Sequence, residues 1–220
     1  MKIKKINWLQ LGLELFVVFL GVTAGFILNN WSVNRHEAKI EQKYLEGFSE
    51  DVKNNISELK NAIQIDSVWI ARASQIIQII NEGELHVDST NVAISLISNL
   101  NTIETNVGTY EDIINSGNLN LIKSFQLKSH IIKYQNVIAK AELLDEYLKE
   151  FFNNFLLPFL VADSDVMKVE FKNPETINSS KYSNLLGIYY SFINQRTAVY
   201  KEFLEKSLDL SEELKQSLNH

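Results

Sequence analysis

The pattern of apolar and polar residues sets residues 6–31 apart, because this is the one stretch that water would solvate poorly. Between Leu15 and Leu28 it contains no charged residue. A bilayer core about 30 Å thick needs about 20 mainly apolar residues in a helix. Trp8 and Trp31 lie 23 positions apart, a separation of about 35 Å along a helix that places one indole at each interface. The pattern predicts a transmembrane helix over residues 6–31.

The charges around this segment predict its orientation. The basic tail of residues 1–5 contains three lysines, and basic residues favour the cytoplasmic side: Lys2, Lys4 and Lys5. We therefore expect a single-pass protein of the inner membrane, with its amino terminus inside and residues 32–220 in the periplasm. A cleaved signal peptide is the alternative, because Val22-Thr23-Ala24 has the small residues of a cleavage site. The apolar run continues to Leu28 and is interrupted by Glu14, which favours an uncleaved signal anchor.

Two features inside the segment are candidates for function. Glu14 is an ionisable group at a depth where charge is costly, which makes it a functional candidate by default; the alternative is that it is protonated or reaches the inner headgroup layer. Gly21 and Gly25 are four residues apart, with Asn29 one turn further on the same face. Glycine is common in membrane helices, but small residues at this spacing let two helix backbones approach closely. We therefore expect a helix–helix contact at Gly21, Gly25 and Asn29.

Three long stretches beyond the apolar segment repeat their apolar residues every three or four positions, the period of a helix with one buried side. The first covers residues 34–80 and is expected to continue the transmembrane helix without a break. The second covers residues 125–157, and Pro158 should end or kink it because proline lacks an N–H and its ring blocks the ladder. The third begins at Ser179 or Ser180.

Shorter helices are expected between the first two long ones. One should start after Asp88 or Ser89 and end near Leu100, and another should open with a capping box at Thr109–Asp112. Amphipathic helices of this kind bury their apolar stripes most simply in an antiparallel bundle. The sequence therefore predicts an all-α protein in which the transmembrane helix continues into an antiparallel helical bundle over residues 32–220.

Composition narrows the classes of partner and chemistry. The net charge is −6, and the chain beyond residue 31 contains 18 basic and 26 acidic residues, a balance of −8 that suits nucleic acid poorly. There is no cysteine for a disulfide or thiolate metal site. Phosphate loops, nucleophile elbows and dinucleotide motifs do not occur. The four histidines lack partners at metal-ligand spacing: His36, His86, His130 and His220. We expect no catalytic residue, no metal, no cofactor and no enzyme activity.

Two further groups of residues are weaker candidates for a site. Asp163-Ser164-Asp165 is a tight acidic pair, a candidate for a metal or sugar-nucleotide site, but these residue types are also expected in a turn. Six aromatic residues of the third long helix could line a ligand slot, although core packing is the commoner use of such a stripe. They are Tyr182, Tyr189, Tyr190, Phe192, Tyr200 and Phe203.

One block of sequence runs from Glu14 to Gly21, followed by Ala24 and the closing Asn29-Asn30-Trp31, and a second runs from Tyr110 to Leu121. Together they resemble a single-pass membrane family of Bacteroidota, a domain of unknown function. The family's glycine directly before the glutamate is Leu13 here, with Gly12 one place earlier. The resemblance implies an inner-membrane protein with a helical outer domain, and it implies no activity.

Three functions remain open from the sequence. The first is a structural or assembly subunit, held in the lipid bilayer and bound to a second copy or to another membrane protein. The second is an extracytoplasmic ligand-binding or sensor-like bundle that acts through a partner. The third is a single-pass subunit in which Glu14 takes up and releases protons.

Overall fold

Six α-helices make up most of the chain in a computed structural model that describes residues 8–82, 90–98 and 100–219. They are α1 (Trp8–Glu82), α2 (Thr90–Ser98), α3 (Gly108–Asn115), α4 (Phe125–Phe151), α5 (Leu157–Asp163) and α6 (Ser180–Leu218). Short turns of 3₁₀-helix at Asn118–Leu121 and Pro174–Asn178 and a π-turn at Phe152–Leu156 connect them. A two-residue hairpin pairs β1 (Ser164–Asp165) with β2 (Glu170–Phe171) in antiparallel register. The predicted all-α class is confirmed.

Helix α1 is one uninterrupted element of 75 residues, about 110 Å long at the helical rise. It contains no proline, and it joins the apolar segment directly to the helix predicted for residues 34–80, so their predicted continuity is confirmed. The chain emerges from the apolar segment and becomes part of the bundle only where side chains first become buried, at Tyr44 and Leu45. Asp88 and Ser89, the predicted start of the next helix, lie outside the described residues.

Helix α6 runs antiparallel to both other long helices. Against α1, Arg196 pairs with Asp66 and the Trp69 ring packs on Tyr189. Residue numbers therefore increase along α1 in the direction in which they decrease along α6. Against α4 the same opposite order is shown by two contacts: His130 with Glu213, and Phe151 with Phe192. The N-cap is Ser179, one of the two serines predicted to start this helix, and its hydroxyl accepts the Tyr182 N–H at 3.1 Å.

A return segment, residues 90–118, brings the chain back along α1 between the first two long helices. It consists of α2, an irregular stretch at residues 100–107, and α3. Four contacts with α1 fix its antiparallel course: Trp69 with Leu96, Asn55 with Asn106, Asp51 with Thr109, and Tyr44 with Ser116. The bundle is therefore up-down-up-down, and its second element, the return segment, is only partly helical.

The start of α3 differs from the predicted capping box at Thr109–Asp112. The helix begins at Gly108 after Val107, and no side chain of its own caps it. Instead, the Asp51 carboxylate of α1 accepts the Thr109 N–H at 3.0 Å. A carboxylate at a helix amino terminus is favoured by the exposed N–H groups and the helix dipole, and here a distant residue supplies it.

The helix predicted to break at Pro158 changes its geometry several residues before the proline. Helix α4 ends at Phe151, the backbone widens into the π-turn of Phe152–Leu156, and α5 then carries Pro158 at its second position. Proline cannot donate to the carbonyl four residues back, and its ring would collide with that carbonyl. A wide turn in front of the ring relieves both problems without ending the helical path.

The apolar interior is divided into two cores by a layer of buried charge. The first core lies nearer the apolar segment and includes Leu59 of α1, Ala141 of α4 and Tyr200 of α6. The second lies further along the bundle and includes Trp69 of α1 and Ile193 of α6. On each of the three long helices a charged residue occupies the position between the two cores: Asp66, Asp145 and Arg196.

Gly47 and Gly187 should respond in opposite directions to substitution by alanine. A Cβ at Gly47 would lie 2.8 Å from Thr109 Oγ1, whereas a Cβ at Gly187 would meet nothing within 4 Å. We expect Gly187→Ala to stabilise the domain by up to about 1 kcal/mol through helix propensity. Gly47→Ala should destabilise it by about 1 kcal/mol, because the collision with α3 outweighs the same gain. Urea unfolding followed by circular dichroism measures both, and a stabilising Gly47→Ala would contradict the close packing of α3.

Candidate functional site

The apolar segment of α1 stands clear of the bundle. Between Leu11 and Leu28 nearly every side chain is exposed, Phe19 by 65 % of its surface. None of the most apolar window of 18 residues is buried by the rest of the protein. Among the described residues, α1 is the one helix that is long and apolar enough to cross a membrane, and it lies near the amino terminus. A soluble core helix of this composition would be covered by its own chain, and this segment is not.

The candidate residues of the segment lie along one side of α1. Successive residues of an α-helix turn by about 100°, so Glu14, Gly21, Gly25 and Asn29 fall within a narrow sector. A side chain at Gly21 or Gly25 would meet nothing within 4 Å, and the same is true of Gly12 on the opposite side of the helix. The chain itself therefore leaves the Gly21–Gly25 side open to another molecule.

An aromatic–cation pair marks the far end of the apolar segment. The Trp31 ring is 59 % exposed, and the Arg35 guanidinium carbon lies 5.3 Å from its centre. An indole with a neighbouring cation is typical of the boundary between lipid and water. Trp8 belongs to α1, but its side chain lies outside the described part of the chain.

The buried ionic layer is built around Arg196, which is 1 % exposed. Its Nη2 donates to Asp66 Oδ1 at 2.5 Å, and its Nη1 donates to the Asn101 carbonyl and lies 3.4 Å from Asp145 Oδ1. The guanidinium thus joins α1, α4 and α6 to the return segment at a single point. The Tyr200 ring lies beside it, with its centre 5.1 Å from the guanidinium carbon.

Two hydroxyl groups donate hydrogen bonds to the two carboxylates of the layer. Tyr200 donates to the Asp145 carboxylate, with 2.7 Å to each oxygen. Thr197 donates to Asp66 Oδ2 at 3.0 Å. Hydrogen bonds to a carboxylate favour its ionised form, and both bonds remove part of the cost of burial.

Two carboxylates face one guanidinium, which leaves one negative charge uncompensated when both are ionised. Burial raises the pKa of Asp66 and of Asp145 above the ordinary value of 3.8, against the lowering effects of Arg196 and, at Asp145, of the Tyr200 hydroxyl. Burial likewise raises the pKa of Tyr200, so its hydroxyl is a donor at neutral pH. The layer is therefore anionic or holds one extra proton.

The closed geometry of this layer suits a structural role better than a chemical one. The space beside Arg196 amounts to about 10 Å³, close to the room that one water molecule needs. Two buried donor nitrogens face no partner among the described residues, Arg196 Nε and Asn101 Nδ2. Because its charges come from three helices, the layer is complete only when those helices share one register.

Sequence analysis missed this layer, although the pattern contained a signal for it. Asp66, Asp145 and Arg196 each occupy a position where the apolar stripe of a helix would place a hydrophobic residue. Asp66 lies seven residues after Leu59, and Asp145 lies four after Ala141, both of which are buried. A charged residue inside such a stripe indicates a buried partner of opposite charge.

The weaker candidates have ordinary roles in the fold. Asp163 pairs with Lys181 at 2.8 Å, and Asp165 accepts the Met167 and Lys168 N–H groups in the hairpin turn. His130 pairs with Glu213, and the described residues contain no cluster of three metal-ligating side chains. His86 and His220 lie outside the described residues.

The aromatic stripe of α6 serves mainly as core. Tyr182, Tyr189, Tyr200 and Phe203 are almost fully buried, and the Tyr182 hydroxyl donates to the Ala93 carbonyl of α2 at 3.0 Å. Tyr190 and Phe192 are partly buried and pack against the same core. No ligand slot opens along this stripe within the part of the chain that the structure describes.

Comparisons with protein-family profiles, with curated proteins and with solved structures found no match to this chain. The resemblance of its two sequence blocks to a Bacteroidota membrane family stays a prediction.

Proposed function

We propose that this protein is a structural or assembly subunit of a membrane complex, held by a single-pass helix with its amino terminus in the cytoplasm and its bundle in the periplasm. The observation that supports it most directly is the open side of α1 at Gly21 and Gly25, on a segment that the bundle does not cover. Small residues on a lipid-exposed helix allow close approach of a second helix. The partner is a second copy or another membrane protein.

Two further observations support an interaction role over catalysis. The charged groups brought together in the interior are closed off by Arg196 and Tyr200 and form a layer that holds helices together. Glu14 lies on the same side of α1 as the two glycines, so a helix seated there would cover it. The charge balance of −8 beyond residue 31 separately disfavours a nucleic-acid partner.

Substituting leucine at Gly21 and Gly25 together should dissociate the complex. Leucine side chains fit within the single chain, since nothing lies within 4 Å of either position, so the fold should persist while a close helix–helix contact is lost. We expect the fraction of assembled protein to fall about tenfold or more. Size-exclusion chromatography with light scattering in mild detergent measures the assembly, and circular dichroism measures the fold.

Gly12→Leu is the matched control for that experiment. It makes the same change in the same helix, with equal free space, on the opposite side. Assembly should therefore survive it. The proposal fails if the wild-type chain is a monomer without a stoichiometric partner, or if Gly12→Leu disrupts assembly as strongly as the double variant.

A further inference from the structure

A groove between α1 and α2 is a feature that the membrane packing proposed above does not use. It has a volume of about 570 Å³, within the range of small-molecule sites. It lies on the outer surface of the bundle, beside the second core. Trp69 is part of its lining, and the centre of its ring lies 5.0 Å from that of Tyr189 and 6.3 Å from that of Tyr190.

The walls of the groove are apolar where a ligand would rest. Val68 of α1 and Val92 of α2 both line it and are 50 % and 44 % exposed. Ile65 and Leu96 continue the same surface, and amide and hydroxyl side chains form the rim. Apolar surface left uncovered in a concave site favours an apolar ligand in proportion to the area that the ligand covers.

The described part of the groove carries charge of one sign. Among the described residues, Arg72 is the only charged one that lines it, and no carboxylate does. Within the described ranges, no acidic side chain pairs with Arg72. A guanidinium has a planar set of donors that matches a carboxylate in two parallel hydrogen bonds.

Both walls are fixed before any ligand arrives. The Trp69 indole N–H donates to the Leu96 carbonyl at 2.7 Å, and the Tyr182 hydroxyl donates to the Ala93 carbonyl at 3.0 Å. These bonds tie α2 to α1 and α6. A preformed site spends less binding free energy on ordering its own side chains.

We propose that this groove binds a small amphipathic carboxylate, with its apolar body on Val68, Trp69 and Val92 and its carboxylate on Arg72. The inference concerns a ligand of the bundle and does not depend on the partner of the membrane helix. Trp69 is the reporter, because its ring lines the groove. In a Trp8→Phe, Trp31→Phe background it is the only tryptophan of the chain.

The test is a titration of the full-length chain in lipid nanodiscs with 4-phenylbutyrate, followed by Trp69 fluorescence. The matched probes 4-phenylbutylamine and 4-phenylbutanol carry the same body with a positive or neutral head. We expect a saturable change with the carboxylate and at least about fivefold weaker binding of the amine. Val68→Asp, which places a carboxylate inside the groove, should weaken 4-phenylbutyrate at least about tenfold.

Arg72→Gln should remove the preference for the carboxylate, bringing the three probes to within about twofold of one another. Lys60→Gln is the control, an exposed cation on the same helix outside the groove, and it should keep the wild-type preference. The proposal is overturned if the Trp69 signal does not saturate, if the amine binds as well as the carboxylate, or if Arg72→Gln and Lys60→Gln behave alike.

Discussion

Replacing Arg196 with methionine is expected to destabilise the folded bundle by about 3–5 kcal/mol, because it leaves two buried carboxylates without their cation. Asp66 loses a bond of 2.5 Å, and Asp145 loses a charge 3.4 Å away. Methionine fills much of the same space, so the loss is electrostatic rather than a cavity. The free energy of unfolding from urea titration of the detergent-solubilised chain measures it. Arg72→Met is the matched control on the surface and should cost less than about 0.5 kcal/mol.

The pH dependence of this loss identifies its cause. Burial already raises the pKa of Asp66 and Asp145, and removing Arg196 removes an attraction that lowers them. A carboxyl whose folded pKa exceeds its unfolded value favours folding at low pH, and this contribution disappears as pH rises through the folded pKa. The penalty of Arg196→Met should therefore shrink on acidification from pH 7 toward pH 4.

A variant that replaces all three charges distinguishes the ionic account from a packing account. Asp66→Leu and Asp145→Leu combined with Arg196→Met should recover most of the stability lost by Arg196→Met alone, since buried ion pairs are often replaceable by apolar residues. If the combined variant is no more stable than Arg196→Met, or if the penalty of that single change is independent of pH, the uncompensated carboxylates are not its cause.

Two arginines in the middle of the apolar segment should abolish its retention in the membrane. The stretch Leu11–Leu28 contains twelve Leu, Ile, Val and Phe residues, which favour insertion by about 4–7 kcal/mol in total. Phe19→Arg with Leu20→Arg removes two of them and adds about 5–7 kcal/mol of cost at the helix centre. The net free energy of inserting the segment into the membrane therefore becomes unfavourable. Flotation of lipid vesicles from a gradient, which separates membrane-bound from aggregated protein, should move the variant out of the lipid fraction.

Arginines at Glu50 and Asn54 provide the control, because these exposed positions lie on the same helix within the bundle. That variant should float as the wild type does. If the variant with arginines at 19 and 20 floats equally well, lipid does not surround this segment, and the proposed single-pass arrangement is wrong.

The long helices could be predicted because the signal for them is local. A helix with one buried side repeats its apolar residues along a few consecutive turns, and a window of sequence contains that pattern whole. Residues 34–80 and the Ser179 cap were predictable for this reason. The start of α3 was not, because its capping carboxylate comes from Asp51, 58 positions before Thr109.

The pairing within the ionic layer was beyond sequence reasoning for a related reason. Arg196 meets Asp145 and Asp66 across 51 and 130 positions, and nothing within one helix indicates which distant charge is its partner. The place of each residue in an apolar stripe indicates that it is buried, but not which charge it meets. The groove at Arg72 could not be predicted for the same reason. Its walls come from two helices, and only the folded chain shows which residues of the two lie side by side.

The unbroken course of α1 has a geometric consequence for the proposed membrane assembly. Because the helix continues without a break, the direction in which the bundle faces is set by its helical phase relative to Gly21 and Gly25. Each residue inserted into residues 32–39 would turn the domain by about 100° and lift it by about 1.5 Å, and seven would nearly restore its direction while lifting it about 10 Å. The length of this short spacer therefore sets which way the groove at Arg72 points relative to a neighbour held in the same bilayer.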